Sequence, residues 1–142
     1  MIQRARSGQI YPLLKLAQKL WPNSWTLYEE MKEYLIAEEK AAFLFWKQTN
    51  PVGLALCSLR SEYVEGTKDS PVGYLEGIYV EEDFRGKNIA AALLSSCEEW
   101  AKQRGCREFA SDCELDNPAS LAFHLHTGFE EANRIICFVK TL

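Results

Sequence analysis

Apolar residues recur along this chain with two different periods, and the switches between them lay out its elements. Ile2 to Arg6 reads as a short strand. Tyr11, Leu14, Leu16, Ala17 and Leu20 then lie broadly on one side of a helix that Ser7 is placed to cap, and Trp21-Pro22-Asn23 breaks it. Thr26 to Glu29 has capping-box spacing and opens a second helix carrying Leu27, Met31, Tyr34 and Leu35. Ala41 to Trp46 is an apolar, aromatic run of strand length. Thr49-Asn50-Pro51 turns it into Val52 to Leu59, so the two runs form a hairpin. A loop with Gly66, Asp69, Ser70 and Pro71 leads to a third long strand, Val72 to Val80.

The most regular segment follows. Ile89, Ala90, Leu93, Leu94, Cys97, Trp100 and Ala101 recur at helical spacing, and Gly105 stops the helix. Glu108 to Asp112 reads as a strand. Asn117-Pro118 places a capping residue before a proline at the first helical position, and that helix ends near Thr127-Gly128. Phe129 to Leu142 reads as one bent strand or two. The order predicts a single domain over residues 1–142, an α/β (α+β) sandwich with one right-handed β-α-β crossover.

Composition narrows the picture. The 142 residues are 47% hydrophobic and 25% charged, the profile of a globular chain long enough to bury a core. No apolar run approaches the ~20 residues of a membrane helix, and the first residues lack a signal peptide's apolar stretch, so a cytoplasmic protein with no membrane partner is expected. The five cysteines form no C-x-x-C pair and sit beside apolar neighbours, so they read as reduced, packed thiols, and no metal site is expected.

The net charge is −4, and its distribution matters more than its total. Seven acids and one base, Lys68, fall between Ser61 and Asp83; Asp112, Glu114 and Asp116 form a second cluster. Such a surface repels nucleic acid and attracts cations.

Candidate chemistry concentrates after the third long strand. Leu75 to Val80 is followed by the acidic loop Glu81-Glu82-Asp83-Phe84, then by Arg85-Gly86-Lys87-Asn88, which opens the long amphipathic helix. A helix start offers unpaired N–H groups and a positive dipole end, both suited to a pyrophosphate, and Arg85 and Lys87 add fixed charge.

This segment resembles the acetyl-CoA-binding motif of the GNAT superfamily, R/Q-x-x-G-x-G/A after a strand. Arg85, Ile89 and Ala90 fit; Asn88 stands where the family usually has glycine, and Asn is the ordinary residue that best tolerates a left-handed backbone. Leu20-Trp21-Pro22, Glu62 to Gly66, Ser70-Pro71-Val72, Leu75 to Ile78, Phe109 to Asp112, Asp116-Asn117 and Gly128 to Glu131 are similar to segments of aminoglycoside 6′-N-acetyltransferases, and they span nearly the whole chain. The resemblance implies the GNAT fold: a mixed, mostly antiparallel central sheet with helices on both faces and one β-α-β crossover.

It also implies a set of roles. Ile78, Tyr79 and Val80 would bind the pantetheine arm and supply an oxyanion N–H; Arg85, Gly86, Lys87, Asn88, Ile89, Ala90 and Ala91 would hold the pyrophosphate, with Asn117 a further contact to CoA. Trp21, Tyr63, Glu76 and Asp112 would hold the cationic acceptor, Glu76 and Asp112 also serving catalysis. His124 stands four residues before Gly128-Phe129, where many relatives carry a tyrosine near the thioester sulfur; it reads either as a general acid or as a packing residue. Similar enzymes often carry a further acid where this chain has Asn133.

The implied reaction is direct attack of a primary amine on acetyl-CoA, most simply the 6′-amine of an aminoglycoside, by a homodimeric enzyme. A polyamine or other small-amine acetyltransferase, or a CoA-binding module without catalysis, are the alternatives these residues leave open.

Overall fold

The computed structural model describes all 142 residues. Its frame is a five-stranded sheet in the order β1 (Ile2–Arg4), β2 (Lys40–Lys47), β3 (Asn50–Arg60), β4 (Val72–Val80), β5 (Phe109–Ser111). Neighbours run antiparallel except β4 and β5, which are parallel and joined by α3 (Ile89–Gln103). The β-α-β crossover is the one the element order predicts, and the mixed, mostly antiparallel sheet is the one the family resemblance implies.

Strand β3 shows why the sheet needs helices on both sides. It is buried from Pro51 to Ser58, with Leu54 and Leu56 on one face and Ala55 and Cys57 on the other, as period-two alternation dictates. Leu54 and Leu56 pack with Leu13, Leu16 and Ala17 of α1 (Ile10–Leu20) and Leu27 and Met31 of α2 (Leu27–Ile36). Ala55 and Cys57 pack with Leu93, Leu94, Cys97 and Trp100 of α3, and Phe123 of α4 (Pro118–His126) leans on the same layer. No helix is long and apolar enough to cross a membrane.

Helix ends are fixed by local chemistry, in places differently from the sequence reading. Ser7 does not cap α1; the helix starts at Ile10, with Gln9 at the cap position and its Oε1 accepting the Arg6 N–H. The Thr26–Glu29 capping box does not form either. Thr26 is the cap residue by position, but its hydroxyl donates to Glu30 instead of accepting from the backbone. The Thr26 hydroxyl thus takes a side-chain partner that competes with a backbone amide.

By contrast, Asn117 accepts the Ser120 N–H with Pro118 behind it. Gly105 and Gly128, at φ 85 and 102, close α3 and α4 with paired bonds from Cys106 to Ala101 and from Phe129 to His124.

The segment after Gly128 corrects a second expectation. Residues 129–142 form no strand. Ile135, Ile136, Phe138 and Val139 are 74–97% exposed. Strand propensity cannot act without a partner backbone, and β5 pairs over only three residues.

Candidate active site

A β-bulge shapes the site. Along the β3–β4 ladder Leu56 faces Gly77 and Cys57 faces Leu75, so Glu76 is the extra residue on β4. A bulge bends its strand and re-aims the inserted side chain. Glu76 here turns onto the face covered by α1 and α2. Its Oε1 accepts from Ser58 Oγ at 2.8 Å, Arg60 Nε at 3.1 Å and Arg60 Nη2 at 2.7 Å, and its Oε2 from the same Nη2 at 3.0 Å.

The network continues across the sheet. The Arg60 guanidinium carbon lies 3.4 Å from the Tyr74 ring centroid, and the Tyr74 hydroxyl donates to Asp112 Oδ2. Burial first, then the bond to Asp112, pushes the Tyr74 phenol well above its ordinary value. Tyr34 of α2 is raised likewise, by burial and then by the charge of Glu76. Burial works against the Arg60 charge, yet its hydrogen bonds and charge pairing with Glu76 outweigh this and raise its pKa. Glu76 and Asp112 are thus joined through Arg60 and Tyr74 on one surface, with two carboxylates against one guanidinium.

Trp21, at the end of α1, lies against β4. A Cβ on Gly77 would sit 2.7 Å from its Cη2 and 3.1 Å from Leu20 Cδ1, so glycine is what admits the indole beside Glu76. Tyr63 is 76% exposed on the loop after β3 and makes no hydrogen bond to these groups. That loop is tied to the C-terminal segment, where Asn133 Nδ2 donates to Glu65 Oε1 at 3.0 Å.

The same bulge opens the other edge of β4. Ladder pairing with β5 stops at Leu75–Ser111, so Glu76 to Val80 have no strand neighbour on that side. The Glu81 N–H bonds Val52 O, across β3. Alternation back from Glu81 leaves the N–H groups of Ile78 and Val80 on the free edge. The Val80 carbonyl on that edge accepts from Arg85 Nε at 2.8 Å, so Arg85 anchors the turn through that nitrogen.

The turn itself is built of left-handed residues. Gly86 has φ 76 and Asn88 has φ 62, so asparagine does adopt the backbone that glycine would. No backbone acceptor takes the N–H groups of Gly86, Lys87, Asn88, Ile89, Ala90 or Ala91. Gly86 has nothing within 4 Å of where a Cβ would point. Exposed amides at a helix start, beside Lys87, make a cradle that fits a diphosphate.

His124 is enclosed by its own chain. Its Nδ1 is 2.7 Å from the Ser120 carbonyl, so it carries a proton, and its Nε2 is 2.8 Å from Ser111 Oγ. Its ring lies 5.0 Å from that of Phe129. Neither nitrogen is free here, and donating a proton elsewhere requires giving up Ser111.

Ser58, Arg60, Tyr74 and Ser111 were missed in the sequence. Ser58 and Arg60 share a face at the end of β3, a period-two signal, but only the ladder register shows that they meet Glu76.

Comparison with known proteins places this geometry. The family model of the acetyltransferase (GNAT) family matches residues 9–129. Aminoglycoside N(6′)-acetyltransferase type 1 of Acinetobacter haemolyticus is 39% identical over 142 residues, covering 99% of this chain and 98% of the relative. The protein of that name from Serratia marcescens is 39% identical over 132 residues, covering 91% and 90%. Among solved structures, AAC(6′)-Iy bound to the bisubstrate analogue CoA-S-monomethyl-acetylneamine superposes with a TM-score of 0.94 at 33% identity, covering 100% of this chain and 98% of that one. Ligand-free AAC(6′)-Ig from Acinetobacter haemolyticus superposes with a TM-score of 0.93 at 38% identity, covering 100% and 99%.

Proposed function

The chain belongs to the acetyltransferase (GNAT) family, and from that premise we propose that it transfers the acetyl group of acetyl-CoA to the 6′-amine of an aminoglycoside. The observation that carries this reading is the double use of β4. One edge of a single bulged strand offers unpaired amides leading to an anion cradle, while Glu76 at the bulge joins Asp112 in a net-acidic surface.

Each part has a physical task. The Gly86–Ala91 amides and Lys87 hold the diphosphate of acetyl-CoA, which supplies an activated thioester. Ile78 and Val80 hold the pantetheine amides, and one of their N–H groups stabilises the charge that develops on the carbonyl oxygen. Asn117 spends its side-chain oxygen on the Ser120 N–H, which leaves its amide hydrogens for the cofactor.

On the acceptor side, Glu76 and Asp112 gather an ammonium-rich ligand, Trp21 forms an apolar wall against Gly77, and Tyr63 closes from the exposed loop. The bound ammonium loses a proton to water through Glu76, its nitrogen forms the C–N bond, and the C–S bond breaks. The nitrogen's second proton leaves with CoA as the thiol. His124 orients Ser111 at the end of β5, beside the site.

Assembly and location form part of the same reading. The unpaired apolar run Ile135–Val139 supports a homodimer in which a second copy covers it. Cys57, Cys97 and Cys106 are free and buried, which supports a reducing cytoplasm.

The test is thiol release from acetyl-CoA with a kanamycin-type sugar, with spermidine and with no acceptor. Turnover with the sugar is expected. Turnover with spermidine alone would replace the acceptor, and none with any amine would reduce the chain to a CoA-binding module.

A further inference from the structure

A site whose carboxylates served only to attract a polycation would have no use for Arg60. Its guanidinium takes both oxygens of Glu76 and cancels half of the local negative charge. Nor is it there to fill a core, since its side chain remains 42% exposed. It is nonetheless fixed from several sides: by Glu76, which Ser58 holds from the flank, and by the Tyr74 ring, whose hydroxyl is tied to Asp112.

This arrangement answers a difficulty in the chemistry. A primary amine attacks a thioester only as the neutral base, yet two carboxylates at close range hold it as ammonium. A cation fixed on the same carboxylate works the other way. We propose that Arg60 is a positioning residue that lowers the proton affinity of the acceptor amine bound at Glu76, and so makes it a nucleophile near neutral pH. The inference rests on the amine-acetylation reading above.

The groups facing Glu76 bear this out element by element. Tyr34 approaches from α2, Cys57 and Arg60 belong to β3, Tyr74 precedes Glu76 on β4, and Asp112 follows β5. Burial keeps both phenols neutral through the working range, and the Cys57 thiol is buried against the Ala41 carbonyl. The fixed charges are therefore Glu76, Asp112 and Arg60. With Arg60 the amine meets a net charge of −1; without it, −2.

In the balanced step the bound ammonium releases one proton to solvent before attack, C–N forms as C–S breaks, and the second nitrogen proton leaves with CoA as thiol. Arg60 acts on the first of these events. It touches neither bond that changes.

The experiment compares the pH dependence of kcat, with an aminoglycoside acceptor at saturation, for the native protein, Arg60→Gln and Arg60→Lys. The acid limb of kcat reports the ionisation of the bound complex. Arg60→Gln is expected to move that limb up by about one pH unit, a roughly tenfold slower rate below it, with the high-pH plateau kept. Arg60→Lys keeps the charge and is expected to restore the limb's position.

A uniform loss of rate at every pH, with the limb unmoved, would make Arg60 merely structural and overturn the proposal. Should Arg60→Gln fold poorly, the 15N shift of the 6′-amine, followed by NMR titration in the complex of Arg60→Met or native protein with CoA, gives the bound pKa directly. A bound pKa that is the same in native protein and in Arg60→Met, which removes the charge, overturns the proposal in the same way. Native protein that acetylates no amine would instead defeat the functional reading itself, while an active enzyme with an unmoved limb defeats only this inference.

Discussion

Replacing Glu76 by glutamine removes one charge and one acceptor while preserving shape, and the geometry allows the consequence to be worked out. If the glutamine oxygen takes the place of Oε1, the bonds from Ser58 and from Arg60 Nε and Nη2 survive. Its amide nitrogen then faces Arg60 Nη2, 3.0 Å from the old Oε2, donor against donor. The pair is partly solvated, with side chains 42% and 24% exposed, so the lost attraction is discounted towards surface values. A stability loss of about 1 kcal/mol and a fall in Tm of about 3 °C follow.

The effect on acceptor use is larger. An ammonium about 5 Å from the missing carboxylate loses roughly 2–3 kcal/mol at an effective dielectric constant of about 20–40, which is about 30- to 150-fold in kcat/KM. The acetyl-CoA cradle lies beyond Val80 and keeps its KM within about twofold. Thiol release at varied acceptor and at varied acetyl-CoA separates the two. An unchanged kcat/KM for the acceptor, or an equal loss on both substrates, would refute the assignment of Glu76 to the acceptor side.

Three other perturbations probe the remaining parts. Gly77→Ala places a Cβ 2.7 Å from Trp21 Cη2; the displaced indole should cost about tenfold or more in acceptor kcat/KM with acetyl-CoA binding retained, and calorimetry showing weakened cofactor instead would misplace Trp21. At Asn88, with φ 62, valine carries a left-handed penalty of about 1–2 kcal/mol and should lower both Tm and acetyl-CoA affinity, whereas Asn88→Gly should preserve them; equal behaviour of the two variants would mean the turn does not need that backbone. Glu108 accepts the Lys68 and Asp69 amides, which hold its carboxyl below the ordinary range. Because its folded pKa is depressed, this clamp is intact above the ordinary carboxylate range and is lost as pH falls through the lowered value, so the two amide NMR signals should titrate together there; titration at the ordinary glutamate pH would contradict the clamp.

Much of this frame was legible because its signals are local. The bounds of β4 follow from an apolar run between Pro71 and the acidic loop, and α3 follows from apolar spacing ended by Gly105. The left-handed Asn88 was readable from the conformational tolerance of asparagine. Strand pairing beyond the hairpin was not, and the site depends on it. One inserted residue in the β3–β4 register turns Glu76 onto Ser58 and Arg60, and nothing in the spacing of either strand announces a bulge.

The caps show the same limit on a smaller scale. Asn117 and Thr26 carry equally good cap signatures, but Thr26 has Glu30 within reach and spends its hydroxyl there. Residues 129–142 have the composition of a strand and no backbone to pair with, so their conformation is set outside the reach of local propensity.

The central claim is that the bulged β4 brings a thioester and a 6′-amine together. It is tested most directly with two otherwise identical aminoglycosides, one bearing a 6′-amine and the other a 6′-hydroxyl, incubated with protein and acetyl-CoA and read by mass spectrometry and NMR. The account predicts a single acetyl group on the 6′-nitrogen of the first and no acetylation of the second. Acetyl transfer at any other nitrogen, or equal acetylation of both sugars, would contradict it.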